Sequence, residues 1–186
     1  MAASTSRVAA LATVVVTVAL VSGCGGSSSS DTKPAEDWAN SVCSAITTWT
    51  TSVQQTGKDL QGNVNKDSLN KAVNDFESST KQFADDLKGL GRPDTDAGDK
   101  AQASVEKLAS EIQSDADKIK SEAKSASGSG IKGYQQALTS VGGTVQQMGQ
   151  QVTSTFQELG NLDAKGELES AFKKADKCSS LVQSSG

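Results

Sequence analysis

A chain of 186 residues, 35% hydrophobic and 4% aromatic, has room for one compact domain and must build its core mostly from Ala, Val, Leu and Ile. Its 22 acidic residues against 18 basic ones argue against a nucleic-acid partner. The absence of histidine excludes Ser-His-Asp and Cys-His nucleophiles and the Glu-x-x-His di-iron sites of helical bundles.

Residues 1–23 read as an export signal, because one charge, Arg7, precedes an apolar run from Val8 to Val21 that only Thr13 and Thr17 interrupt. The run is shorter than the ~20 residues that cross a bilayer. Val21, Ser22, Gly23 and Cys24 match the lipobox of bacterial lipoprotein precursors, an aliphatic and two small residues before the modified cysteine. The expectation is cleavage before Cys24 and a thioether-linked diacylglycerol on its sulfur. Two palmitate-type chains then hold the protein at the extracytoplasmic face of the cell membrane. Secretion without lipid would leave Cys24 an unpaired thiol in an oxidising space. Residues 24–34, with GGSSSSDTKP after the cysteine, cannot bury enough surface to fold and read as a tether with a reach of ~17 Å.

Residues 35–186 are expected to form an all-α, antiparallel bundle of about five helices, since apolar residues recur at intervals of three and four without strand-like alternation. In the first helix Trp38, Val42, Ile46, Trp49 and Val53 share a face, and Pro34 suits its first turn. The second carries Leu69, Val73, Phe76, Thr80, Phe83, Leu87 and Leu90, and stops at Gly89, Gly91 and Pro93. A third, capped by Asp94 or Thr95, runs through Ala101, Val105, Leu108, Ile112, Ala116, Ile119 and Ala123, and closes at 125–130. The fourth holds Ile131, Tyr134, Leu138, Val141, Val145, Met148, Val152, Phe156 and Leu159. Gly142, Gly143 and Gly149 each weaken it by ~1 kcal/mol relative to Ala, yet the apolar phase continues across them, so one helix, open to a bend, is expected. Asp163 offers a cap for the last, with Leu168, Phe172, Ala175 and Val182 inward.

Once Cys24 is used for lipid, Cys43 and Cys178 remain as an even pair in an exported domain and are expected to form a disulfide between the first and last helices; two buried free thiols are the alternative. A strict up-and-down order makes the fifth helix parallel to the first, so it must be offset or cross obliquely to bring the two cysteines together. The block Trp38-Ala39-Asn40-Ser41-Val42-Cys43 with Trp49, the turn Leu90-Gly91-Arg92-Pro93-Asp94-Thr95, and Glu167-Leu168-Glu169-Ser170-Ala171-Phe172 before Cys178 resemble a family of small actinobacterial secreted proteins and lipoproteins. That resemblance implies the helical fold and the paired cysteines; the family has no assigned activity.

Chemistry-bearing patterns are sparse. Asp94, Asp96 and Asp99 cluster at a helix start, but an EF-hand beginning at Asp94 needs Glu where Val105 stands. Asn63, Asn65 and Asp67 have the early ligand spacing, with Ser68 in place of the turn Gly and Asn74 at the last ligand position. Caps and solvated turns explain both. Gly128, Gly130 and Gly133 spell G-x-G-x-x-G, yet the motif follows a helix instead of the strand a dinucleotide site requires. The carboxylate pairs Asp85 with Asp86, and Asp115 with Asp117, have the composition of a glycosidase acid and base and also of an ordinary solvated helix face. No catalytic, cofactor or metal site is therefore expected, and the chain is read as a non-enzyme.

Removing Arg7 with the signal leaves 17 basic and 22 acidic residues, a net charge near −5. Lys and Glu look interspersed along the helices, so membrane contact is expected through the acyl chains alone. The reading is a lipid-tethered interaction module for another envelope protein or the cell wall. The alternative is a carrier of a small apolar ligand between helices, lined by Trp38, Trp49, Tyr134 and Met148.

Overall fold

The computed structural model describes residues 32–61, 65–126 and 130–183. The expected signal segment, Cys24 and most of the tether lie outside the described residues, as do Asn63 and Gly128. Within them the chain is an antiparallel bundle: α1 (Ala35–Gln61), α2 (Lys66–Lys88), α3 (Gly98–Ala126) and α4 (Gly130–Leu162), followed by the short α5 (Glu167–Lys174) and α6 (Asp176–Gln183). A minimal parallel pair, β1 (Thr32–Lys33) with β2 (Arg92–Pro93), joins the chain before α1 to the α2–α3 connection. This pairing defines one end of the bundle, where α1 and α3 begin, α2 and α4 finish, and α5 and α6 sit.

The expected inward stripes form the core. Trp38, Val42, Ile46 and Trp49 from α1 meet Phe76, Phe83 and Leu87 from α2, Val105, Leu108 and Ile112 from α3, and Met148 and Leu159 from α4. Alanines at 84, 101, 109 and 116 lie between these larger side chains and let the helices approach closely. Two polar groups are built into the packing. Trp49 Nε1 donates to the buried Thr80 hydroxyl at 3.1 Å while its ring stacks on Phe83 at 5.0 Å, and Trp38 Nε1 donates to the Gly91 carbonyl at 3.0 Å. Each removes the penalty of a buried unpaired indole N–H.

The helix ends show where sequence reading succeeded and where tertiary constraints took over. Asn65 caps α2, its side-chain oxygen accepting from the N–H groups of Asp67 and Ser68 at 2.9 Å, while the Ser68 hydroxyl accepts from the Asn65 N–H. The cap expected at Asp94 or Thr95 is not used. The Asp94 N–H is committed to the Lys33 carbonyl at 2.7 Å, and the Thr95 side-chain oxygen is buried with no hydrogen-bond partner. That strand contact delays α3 by a turn, to Gly98. Gly98 packs so tightly under β2 that a Cβ there would collide with the Pro93 carbonyl oxygen. The tether, expected to run to residue 34, is docked two residues earlier, because Thr32 and Lys33 pair with β2 and the Thr32 hydroxyl accepts from Arg92 Nε at 3.1 Å.

The fourth helix runs unbroken through Gly142 and Gly143. The expected fifth helix is two. Ala175 adopts an extended conformation (φ −67°, ψ 112°), and α6 departs in a new direction. Asn40 receives the first turn of α6 by accepting from the Lys177 N–H at 3.1 Å. Asp163 contributes to α5 from outside it: Gly166, with φ 73°, precedes the helix, and the Asp163 carboxylate accepts from the Glu169 N–H at 3.0 Å.

Two glycine substitutions separate close packing from intrinsic helix preference. Gly98→Ala is expected to destabilise the domain by about 1–3 kcal/mol, as overpacking against fixed backbone does. Gly142→Ala, over open space in mid-helix, is expected to stabilise it by about 0.5–1 kcal/mol. Denaturant midpoints of the two variants check both signs; equal shifts would contradict the packing assigned to Gly98.

Candidate functional site

The best-defined constellation lies at the strand end of the bundle. Cys43 of α1 and Cys178 of α6 are bonded, with Cα atoms 5.1 Å apart and a sequence separation of 135. Ala39, Ala171 and Ala175 surround the sulfurs in a small buried cluster. The break at Ala175 makes this bond possible and resolves the directional problem of a straight fifth helix. Beside the disulfide, Phe172 of α5 meets Trp38 of α1 and Phe156 of α4 edge-on, with ring centroids 6.0 and 5.2 Å apart. These contacts lock the last segment onto both the first helix and the fourth.

The acidic groups singled out by sequence are scattered among opposite charges. Asp96 pairs with Lys165, Asp99 with Arg92 at 2.9 Å, and Asp85 with Lys81 at 2.5 Å. The hydrogen bond from Lys165 to Asp96, and then the Asp96 charge, raise the lysine above its ordinary pKa. Asp115 accepts from the Gln151 amide at 3.0 Å. Neighbours one or two apart on a helix diverge, so neither Asp85 with Asp86 nor Asp115 with Asp117 converges on a common point. No group of three or more metal-ligating side chains forms among the described residues. Gly130 and Gly133 belong to the opening of α4, which follows α3 rather than a strand.

Two surface grooves are of ligand size. The larger, about 590 Å³, runs between α1 and α2 at the strand end; Asn40, Ser44, Thr48, Gln82 and Asp86 line it, with Lys33 at its rim. A second, about 360 Å³, lies between α3 and α4 at the opposite end, beside Glu122, Gln136 and Ser140. Both are open, and apolar and polar atoms line them about equally. The four residues proposed for an apolar pocket do not line a shared one: Trp38, Trp49 and Met148 are core, while Tyr134 is half-buried outside that cluster.

The charge distribution departs from the sequence expectation. Lys and Asp/Glu do interleave on α2 and α3, with ion pairs Lys71–Asp75, Lys107–Glu111 and the inter-helix Lys120–Glu77. On α1 no charge occurs between Trp38 and Gly57, and on α4 none between Gly133 and Gln157. Both gaps are visible as runs in the sequence; the fold assigns them to the first and last long helices. No known protein family, curated protein or solved structure matches the chain.

Removing the disulfide measures what it contributes. Cys43→Ser with Cys178→Ser is expected to keep a helical circular-dichroism spectrum in buffer but to lose up to ~5 kcal/mol of stability, the loop-entropy value for a cross-link of this span. A thermal midpoint unchanged from the parent would contradict a structural role for the bond.

Proposed function

We propose that this protein is a bacterial lipoprotein, cut before Cys24 and held by lipid on that residue at the outer face of the cytoplasmic membrane. There its helical domain serves as an interaction module for another envelope protein or the cell wall. The observation that carries the reading is Val21-Ser22-Gly23-Cys24 directly after a short apolar run. The Cys43–Cys178 bond supports it, because such bonds persist in oxidising compartments. The domain's docked start at Thr32 supports a close tether. In this reading the short stretch between Cys24 and Thr32 keeps the strand end of the bundle near the headgroups. The opposite end lies about 50 Å from the strand end, the length of α4 at ~1.5 Å per residue.

No helix among the described residues is long and apolar enough to cross a membrane. In this reading the anchor is the pair of acyl chains on Cys24. The interaction module is preferred to the apolar-ligand carrier because Trp38, Trp49 and Met148 are spent on core packing and neither large groove is lined by them or by Tyr134. The reading assigns no catalytic residue, cofactor or nucleic-acid partner. It also accords with the actinobacterial lipoprotein family that the Trp38–Cys43 and Leu90–Thr95 blocks resemble.

The anchor is tested by Cys24→Ala. The variant is expected either to accumulate as uncut precursor or to leave the membrane without lipid. A protein that remains in the membrane fraction at mature size and still takes up labelled palmitate would refute the assignment.

A further inference from the structure

The groove between α1 and α2 gathers polar groups that the fold leaves uncommitted. Its walls come from four elements: Lys33 from β1, Ser44 and Thr48 from α1, Gln82 and Asp86 from α2, and Lys177 from α6. The α6 wall is fixed, because the Lys177 N–H donates to Asn40 at 3.1 Å and the next residue, Cys178, is bonded to Cys43. Elsewhere on α1 the hydroxyls of Thr47, Thr51, Ser52 and Thr56 donate to carbonyls one turn back, a bond that satisfies a helical hydroxyl locally. Ser44 and Thr48 make no such bond, and the side chains of Lys33, Gln82 and Asp86 have no hydrogen bond or ion pair among the described residues. Asp85, the neighbour of Asp86, is by contrast held by Lys81.

Two opposite charges thus share one groove without pairing to each other. Lys33 lies at the strand end with Gly89 and Leu90, and Asp86 lies a turn away along α2. The hydroxyls of Ser44 and Thr48 and the amide of Gln82, which both donate and accept, continue the wall from there. The buried Ala45 and Leu90 form an apolar floor.

We infer that this groove binds a short peptide with both terminal charges free, its carboxylate at Lys33 and its ammonium at Asp86. The groove follows α1 from Asn40 to Thr48, about 12 Å at ~1.5 Å per residue. An extended peptide of two or three residues covers about 7–10 Å at ~3.4 Å per residue. The volume of about 590 Å³ falls among those of small-molecule sites. Backbone amides of the peptide match the hydroxyls and Gln82, and its side chains match the floor. Other ligand classes fit less well. A phosphate or nucleotide would set like charge against Asp85 and Asp86, a sugar would find no aromatic ring among the lining residues, and a metal ion would meet one uncommitted carboxylate. Asp86 is exposed and Lys33 half-buried, so each charge attracts modestly and the affinity is expected in the millimolar range. The site does not require the lipid, and its failure would leave the anchor assignment untouched.

Titration of the isotope-labelled full chain with trialanine, followed by amide chemical shifts, tests the site. Saturable shifts are expected at Ser44, Thr48, Gln82 and Asp86. Acetylating the peptide amine, or amidating its carboxylate, is expected to weaken binding about threefold to fivefold each. In Asp86→Asn the penalty for acetylation should vanish while that for amidation stays, and in Lys33→Gln the reverse should hold. Glu122→Gln, in the second groove, should leave all three titrations unchanged. The inference is overturned by no saturable shift up to about 30 mM trialanine, by shifts centred away from this groove, or by blocking penalties that persist alike in Asp86→Asn and Lys33→Gln.

Discussion

The Phe172 ring, set between Trp38 and Phe156 beside the Cys43–Cys178 bond, is the contact on which the architecture turns. Four long helices packed in chain order leave α1 and α4 without a direct bond to each other. The short C-terminal segment closes that side at one end only. Trp38 and Phe83, together with the half-buried Phe156 and Phe172, lie toward this end and Trp49 midway along α1, whereas α3 and α4 meet at the other end through Ala123, Ala126 and Ala137. Alanine faces allow close approach but bury little apolar area, and at ~25 cal/mol per Å² little area gives little stability. The domain is thus firmly built at its strand end and lightly built where α3 and α4 meet at the other.

The same asymmetry appears around the bundle. The ion pairs of α2 and α3 are exposed and contribute little to stability individually, but they make that side hydrophilic and solvated. The helices α1 and α4 carry hydroxyls, amides and half-buried valines instead. Many of the α1 hydroxyls, including Thr47, Thr51 and Thr56, donate to carbonyls one turn back, which lowers their demand for water.

Much of this was legible in the sequence. The three-four spacing of Trp38, Val42, Ile46 and Trp49, and of Leu69, Phe76, Phe83 and Leu87, locates α1 and α2 and their buried faces. Parity of the cysteines identifies the disulfide. What escaped depends on partners far along the chain. Ala175 is a good helix former, yet it is extended, because Cys178 must return to Cys43. Asp94 looks like a cap and is instead held by Lys33, which precedes α1 and α2 in the chain. Gly98 gives no sign in the sequence that Pro93 presses on it. The uncharged runs were readable in the sequence; the fold assigns them to α1 and α4.

Native-state hydrogen exchange resolved by segment tests this division of stability most directly. The account predicts that amides of α1 from Trp38 to Trp49, of α2 from Thr80 to Leu87 and of α3 from Ala101 to Ile112 exchange only through global unfolding. Those near the ends of α1 and α3 and the start of α4, from Gln54 to Leu60, from Ile119 to Ala126 and from Gly133 to Val141, should exchange through openings of lower free energy. Uniform protection along the four long helices, or lower protection around Trp38 and Cys43 than around Ala123 and Ala137, would contradict it.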